Sequence, residues 1–348
     1  MKEDGRDSSA AQRLLRGAAL AAGVGACALL SWRFGWSDLA GAFEHVRPAY
    51  VIGYVLCGCL VRGGYGVRWY LVTRRLGAAP PASRFVAARL SGDAVGSVLP
   101  GGRIGGDPLR AALVYGDGVG GTQAGAGVAI DRIMEMLGNT LCAIAYVSVF
   151  AVTHTFEAAP RAVPVLIASL CALLVGLALP LALLRRGIRP LQPLYRAGAW
   201  AGLVRGQRWV GPLQRMEDHL IRFVANDPAA CVWGVLGSLA IEALVIVEMR
   251  LLFTAFGVLV DLPTLLLALV ATGLARAVPT PAGLGALEAG QVAVLGVAMG
   301  RPDIGFVAGI LLRLHETWWT VVGFLCLSVR GVSMARLRLL VTPHKVSV

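Results

Sequence analysis

The chain has 348 residues, of which 57% are hydrophobic and only 15% are charged, and its mean hydropathy is +0.70. A typical soluble domain is about 25% charged, so this composition excludes most soluble enzymes and favours an all-α polytopic membrane protein. The net charge is +12, and we interpret this surplus as arginine in cytoplasmic loops, with no nucleic-acid partner.

Six apolar stretches are long enough to cross a bilayer, which takes about 20 residues. The first follows three arginines and has no small-residue cleavage site after it, so we interpret it as an uncleaved helix. In chain order the predicted spans lie at 14–32, 50–72, 124–152, 162–184, 229–256 and 303–329. Two further apolar stretches, 85–115 and 263–299, are interrupted by glycine and proline.

The arginines predict how the chain is oriented in the membrane. Basic residues are concentrated at both termini, in the loop after the second span and in the segment 185–228. All of these regions lie in the cytoplasm only if each interrupted stretch enters the membrane and returns to the side it came from. The sequence therefore predicts six full spans, two re-entrant helical hairpins and cytoplasmic termini. The alternative is that glycine and proline merely kink two crossing helices. The basic linker 185–228 should carry a surface helix near Gly211–Val224.

The two interrupted stretches align with each other at a single offset along the chain. The first contains LPGGRIGGDPLR and the second contains TPAGLGALEAG. At the offset that places Asp107 on Glu288, which we call the repeat offset, Arg132 also falls on Arg313. Because the basic loops place the first hairpin on the cytoplasmic side and the second on the outer side, the repeat is predicted to be inverted, which is a transporter architecture.

The repeat divides a single integral membrane domain, 1–348, into units of about 12–152 and about 162–335. The predicted hairpin tips are Pro100, Gly101, Gly102, Pro281, Gly283 and Gly285.

Ionisable residues inside the predicted spans are candidates for function, because an unpaired charge in a bilayer costs several kcal/mol. Asp107 lies before Pro108 and is predicted to cap a half-helix, whereas Glu288 lies in the first turn of the matching one. Helix N-termini attract phosphate, so each hairpin is predicted to cradle a lipid phosphate. The alternatives are that the carboxylates only cap their helices and that the charges form structural ion pairs. The predicted substrate-binding residues are Arg110, Arg132, Arg313, Asp107, Asp131, Glu288 and Arg276.

These blocks resemble the lysylphosphatidylglycerol synthase transmembrane (flippase-like) family of bacterial and archaeal membrane proteins. The resemblance rests on LPGGRIGGDPLRA, AIDRIMEMLG, PTPAGLGALEAG and Arg313, and it extends over about residues 12–335. Ala282 stands where the family commonly has glycine. No soluble aminoacyl-transferase domain follows Val341, so the resemblance implies the translocase part alone. It also implies that the polar core consists of Asp107, Arg110, Asp131, Arg132, Glu288 and Arg313.

We therefore expect a transporter that moves an amphipathic, anionic or phosphate-bearing lipid between leaflets through a polar groove. The lipid would be a phospholipid, a glycolipid or a polyprenyl phosphate, and arginine forks would bind its phosphate oxygens. The only lysines are Lys2 and Lys345, which excludes an ATPase P-loop, and we expect no cofactor or metal. One alternative is an accessory subunit of a lipid-modifying enzyme such as a glycosyltransferase. Another is an intramembrane enzyme that acts on lipid phosphate.

Overall fold

A computed structural model describes residues 46–77, 79–99, 105–116, 118–153, 162–190, 192–193, 210–278 and 284–329. All regular secondary structure within these residues is helical. The helices are α1 (Pro48–Arg75), α2 (Ala82–Val98), α3 (Asp107–Val114), α4 (Gly121–Thr153), α5 (Ala162–Arg185), α6 (Val210–Asn226), α7 (Pro228–Ala255), α8 (Leu262–Ala277), α9 (Ala286–Met299) and α10 (Pro302–Val329).

Five of the six predicted spans are confirmed as apolar helices of membrane-spanning length. They are α1, α4, α5, α7 and α10, and the shortest apolar segment among them has 23 residues. At about 1.5 Å per residue these helices are longer than the roughly 30 Å hydrocarbon core. The sixth predicted span, 14–32, lies outside the described residues. The protein is therefore a multi-pass membrane protein.

Each interrupted apolar stretch consists of two shorter helices. The first forms α2 and α3, and the second forms α8 and α9. None of the four has the about 20 residues that a crossing requires, and the 8 residues of α3 rise only about 12 Å. Asp261 starts α8 by accepting a hydrogen bond from the backbone of Thr264. The predicted breaks in these two stretches are therefore present.

The helices recur along the chain at a nearly constant spacing. Helices α1 to α4 begin at Pro48, Ala82, Asp107 and Gly121, and α7 to α10 begin at Pro228, Leu262, Ala286 and Pro302. Corresponding helices are thus separated by nearly the repeat offset that the sequence indicates. Helix α1 packs against α7, while α2 packs against α10 and α4 packs against α8. The contact of α1 with α7 therefore joins two equivalent helices. The contacts of α2 with α10 and of α4 with α8 are equivalent to each other, because α2 corresponds to α8 and α4 corresponds to α10.

The basic segment carries a helix, α6, at the place where the sequence predicts one near Gly211–Val224. Its apolar face carries Leu220, Phe223 and Val224, which are buried against residues of α4 and α5, including Ile130 and Leu184. Because α6 packs on two of the long helices, it closes one side of the described helical assembly.

Glycines bring the short helices close to their neighbours. A Cβ on Gly106 would lie 1.9 Å from the carbonyl oxygen of Gly92, so the start of α3 rests directly on α2. In the second half, a Cβ on Gly309 of α10 would lie 2.9 Å from the Cα of Glu288 in α9. Side chains at these glycines would separate the helices, because backbone atoms fill the space. The first contact packs the helix start before Asp107 on α2, and the second packs Glu288 on α10.

Candidate functional site

An ion pair joins the short helix α3 to the long helix α4. The Arg132 guanidinium donates to Asp107, with distances of 2.6 Å from Nη2 to Oδ1 and 3.0 Å from Nε to Oδ2. Arg132 Nη1 also lies 3.4 Å from Glu135 Oε1, one turn along α4. The side chains of Arg132 and Asp107 keep 12% and 15% of their surface exposed. We call Asp107, Arg132 and Glu135 the first triad.

The same arrangement recurs in the second half of the chain. Arg313 Nε lies 2.9 Å from Glu288 Oε1, and Arg313 Nη1 lies 3.3 Å from Glu316 Oε2. The Arg313 side chain is 18% exposed. We call Glu288, Arg313 and Glu316 the second triad. Each of its members follows its counterpart in the first triad by the repeat offset.

The acidic residue that completes each triad is one of the ionisable residues inside the predicted spans, but it was not among the predicted substrate-binding residues. Glu135 and Glu316 each lie one helical turn after the triad arginine, and they are separated by the same repeat offset that matched Arg132 with Arg313. Extending the alignment by one helical turn would therefore have found this pair.

The carboxylates of Asp107 and Glu288 make different contacts at the starts of α3 and α9. Glu288 lies in the first turn of α9, as predicted, and accepts a hydrogen bond of 2.9 Å from the backbone nitrogen of Gly285. The prediction that Asp107 caps α3 is wrong by one residue, because Gly106 is the N-cap and Asp107 is the first helical residue. The Asp107 carboxylate accepts instead from the guanidiniums of Arg110 and Arg132. Charge-assisted bonds of this kind are stronger than hydrogen bonds between neutral groups.

Asp131 is at the centre of a buried network beside the first triad. Its carboxylate accepts from Arg68 Nε at 2.8 Å, from Arg89 Nη1 at 3.1 Å and from Arg110 Nη2 at 2.6 Å. Arg89 also binds both oxygens of Glu135. Asp131 and Arg110 are fully buried. Of the predicted site residues, Arg110 contacts the triad directly at Asp107, and Asp131 is linked to it through Arg110 and Arg89.

Arg89 is the member of this network that the sequence analysis missed. It lies on α2, is fully buried, and forms an ion pair of 2.7 Å with Asp93 one turn later. Its guanidinium carbon lies 4.8 Å from the centre of the Tyr65 ring, which is cation–π distance. The available signal was the Arg–Asp pair at i and i+4 within an apolar stretch, a spacing that places both side chains on one helix face.

Arg276 joins the second triad. Its Nε lies 2.9 Å from Glu316 Oε1, and its side chain is 35% exposed. The predicted site residues thus form two groups. Asp107, Arg110, Asp131 and Arg132 lie in the first, and Glu288, Arg313 and Arg276 lie in the second. Of the predicted hairpin tips only Gly285 is described, at the N-cap of α9 with φ +79°; Pro100, Gly101, Gly102, Pro281 and Gly283 lie outside the described residues.

The chain is similar to known membrane proteins over most of its length. The UPF0104 membrane protein of Methanothermobacter thermautotrophicus is 23% identical over 308 residues, which cover 85% of this chain and 89% of that protein. A family model described as the lysylphosphatidylglycerol synthase TM region matches residues 16–326. This match includes every described helix from α1 to α9 and most of α10. The chain therefore belongs to the lysylphosphatidylglycerol synthase TM region family.

Proposed function

We propose that this protein is a flippase-like lipid translocase, which moves an anionic or phosphate-bearing lipid between the leaflets of a bacterial or archaeal cytoplasmic membrane. The observation that carries the proposal is the pair of triads. Both lie at the start of a short helix, both keep their arginine partly exposed, and both arginines are held by carboxylates. A charged group inside a multi-pass membrane protein is expected to line the path of a substrate when it is partly exposed.

The triads supply the chemistry that a phosphate headgroup needs. A guanidinium presents a planar fork of donors that fits both a carboxylate and a phosphate. In the structure Asp107 and Glu288 occupy the forks of Arg132 and Arg313. A lipid phosphate would replace these carboxylates, and the lipid chains would stay in the bilayer. Because the phosphate takes the place of the carboxylate, each arginine stays paired throughout, which avoids the cost of an isolated buried charge.

The arrangement of helices supports the proposed architecture. Four helices too short to cross the membrane, in two pairs, favour two re-entrant hairpins. The nearly constant offset of the helices and the exchanged contacts of α2 with α10 and α4 with α8 support an inverted repeat. We place both termini in the cytoplasm, on the basis of the arginine-rich segments. In such transporters the two repeats move against each other around a site near the membrane centre.

Lipid exchange in reconstituted liposomes tests the proposal. Purified protein is incorporated into liposomes with a headgroup-labelled anionic phospholipid, and exchange is followed by quenching the outer leaflet. Arg132→Ala and Arg313→Ala should each slow exchange at least about tenfold, because a hydrogen bond to a charged group contributes about 1.5–3 kcal/mol. Arg301→Ala is the matched control, since Arg301 forms an exposed ion pair with Asp303 at the start of α10.

The other outcomes distinguish the remaining functions. Full exchange in both triad variants would contradict the proposal. No exchange, together with stimulation of a lipid-modifying enzyme added to the liposomes, would indicate an accessory subunit. A new lipid species in liposomes that contain this protein alone would indicate an intramembrane enzyme.

A further inference from the structure

A second polar cluster joins α1, α7 and α10 and shares no member with the two triads. Arg62 Nη1 donates to both oxygens of Glu248, at 2.9 and 2.8 Å. Arg62 Nη2 lies 3.0 Å from His315 Nε2. Glu248 and His315 are buried, whereas the Arg62 side chain is 16% exposed and its guanidinium carbon lies 4.4 Å from the centre of the Trp319 ring.

The geometry fixes the proton on His315. A guanidinium can only donate hydrogen bonds, so Nε2 of His315 must accept from Arg62 and cannot carry a proton. The imidazole is therefore neutral, with its proton on Nδ1. Nδ1 lies 2.9 Å from the Tyr54 hydroxyl oxygen, to which it donates, and 3.7 Å from Glu248 Oε1.

The cluster is electrically neutral in this state, because one arginine faces one carboxylate. The charged and titratable groups that face it from the neighbouring helices are Tyr54 and Cys57 of α1 and Arg276 of α8. Arg276 is paired with Glu316. Arg89 and Asp93 of α2 and Glu288 of α9 are paired within their own networks. A proton added to Nε2 would remove an acceptor from Arg62 and leave one uncompensated positive charge. Such a charge is costly inside a membrane protein unless an anion accompanies it.

An apolar groove leads to the same cluster. It lies between α1, α7 and α10, has a volume of about 150 Å³, and includes Tyr54 and His315 in its wall. The rest of its wall is largely apolar and includes Val51, Leu252, Phe256, Leu311, Leu314 and Trp318. A hydrocarbon chain in this groove would hold the attached headgroup beside His315.

We propose that His315 binds a proton together with the phosphate of the transported lipid. The proton adds to Nε2, Glu248 turns from Arg62 to the imidazolium, and the released Arg62 binds the phosphate. Two positive and two negative charges then face each other, so the cluster stays neutral in both states. This inference rests on the proposed function and names its coupling ion. Binding of either partner promotes binding of the other, because such coupling is reciprocal.

The first test measures proton binding without transport. The side-chain nitrogens of histidine are observed by ¹⁵N NMR in nanodiscs of phosphatidylcholine or phosphatidylglycerol, and His315→Gln assigns the signal. For His315 we expect the Nδ1–H tautomer at neutral pH. We also expect its titration midpoint to be higher in phosphatidylglycerol than in phosphatidylcholine, and this increase should exceed the one measured for His219 on α6. His219 serves as the reference for the lower pH near an anionic surface. An Nε2–H tautomer, or equal shifts for both histidines, would overturn the inference.

The second test measures coupling in liposomes with a pH gradient. With one proton per lipid, a gradient of about one pH unit should support an about tenfold difference in lipid between the leaflets. His315→Gln should lose this asymmetry, and His219→Gln should keep it. If His315→Gln does not insert into the membrane, Tyr54→Phe is used in its place. In that variant the titration midpoint of His315, measured by NMR as above, should fall, because the imidazolium loses the acceptor of its Nδ1 proton.

The two proposals fail separately. Lipid exchange that ignores the pH gradient, with His315 unresponsive to the anionic lipid, would overturn proton coupling and leave the translocase in place. A normal response of His315 in nanodiscs without any lipid exchange would overturn the translocase and support proton–phosphate binding alone.

Discussion

At the residue scale, the charge balance of the first half depends on Asp131. Its carboxylate is fully buried and accepts hydrogen bonds from Arg68, Arg89 and Arg110. Arginine does not lose its proton in proteins, so these three guanidiniums cannot become neutral if the carboxylate is removed. Glu135, Asp93 and Asp107 each pair with one or two of these arginines, but Asp131 is the carboxylate that all three share.

Asp131→Asn should destabilise the protein strongly. Breaking a buried ion pair from one side costs about 3–5 kcal/mol, because the partner charge stays buried. We expect a clear fall in the thermal unfolding temperature of the purified protein in detergent. Asp303→Asn is the control, since Asp303 is paired with Arg301 at an exposed site. Equal unfolding temperatures for the two variants would show that the arginines find other partners.

The sequence predicted the residues that are repeated better than the contacts that depend on helix packing. The repeat offset matched Asp107 with Glu288 and Arg132 with Arg313, and in the structure the acid of each half pairs with the arginine of the same half. The ion pair of Arg68 with Asp131 joins α1 to α4, and it depends on how these helices are rotated about their axes. A hydropathy pattern with few charges does not fix that rotation, so this contact could not be predicted.

At the scale of the helices, the packing of α3 on α2 depends on the absence of a side chain at Gly92. A Cβ there would lie 2.3 Å from Arg110 Cγ, near the base of the arginine side chain. Arg110 passes this point on its way to Asp131, where Nη2 and Oδ2 are 2.6 Å apart. The close packing of α2 and α3 and the position of a buried charge are thus linked.

Gly92→Ala should lower stability and disturb the first triad. The added methyl group displaces α3, and overpacking of this kind costs about 1–3 kcal/mol. Gly63→Ala is the matched control, because Gly63 lies within α1 and a Cβ there would meet nothing within 4 Å. Alanine should stabilise that helix by about 0.5–1 kcal/mol. A higher unfolding temperature for both variants would contradict the role of Gly92.

The breaks in the short helices were predictable, because glycine and proline interrupt both apolar stretches at matching places. The first residue of α3 could not be predicted in this way. Gly106 already has near-helical angles, φ −89° and ψ −12°, so the helical turn begins before Asp107. Sequence rules favour aspartate as the cap, but two neighbouring arginines compete for the same carboxylate, and only the packing of α3 on α4 brings Arg132 within reach.

At the scale of the whole molecule, α2 and α10 join the two sets of helices. Ser97 Oγ and Thr320 Oγ1 lie 3.2 Å apart, close enough for a disulfide between cysteines at these positions. In a background without the native cysteines, Ser97→Cys with Thr320→Cys should form this bond and stop lipid exchange, because the two repeats must move against each other. A reducing agent should restore exchange.

The single variants Ser97→Cys and Thr320→Cys control for the substitutions themselves. Exchange that continues at full rate after complete disulfide formation would show that these two helices stay together during transport, and the moving boundary would then lie elsewhere.

The arginine network around Asp131 is not repeated in the second half. At the repeat offset, Arg68, Arg89 and Asp131 correspond to the uncharged residues Met249, Val270 and Leu312. A carrier assembled from two equal halves has two mirror-image end states of equal free energy. In the proposed translocase, a dense set of ion pairs around one aspartate fastens the first half only, so the two end states should differ in free energy and one of them should be the resting state.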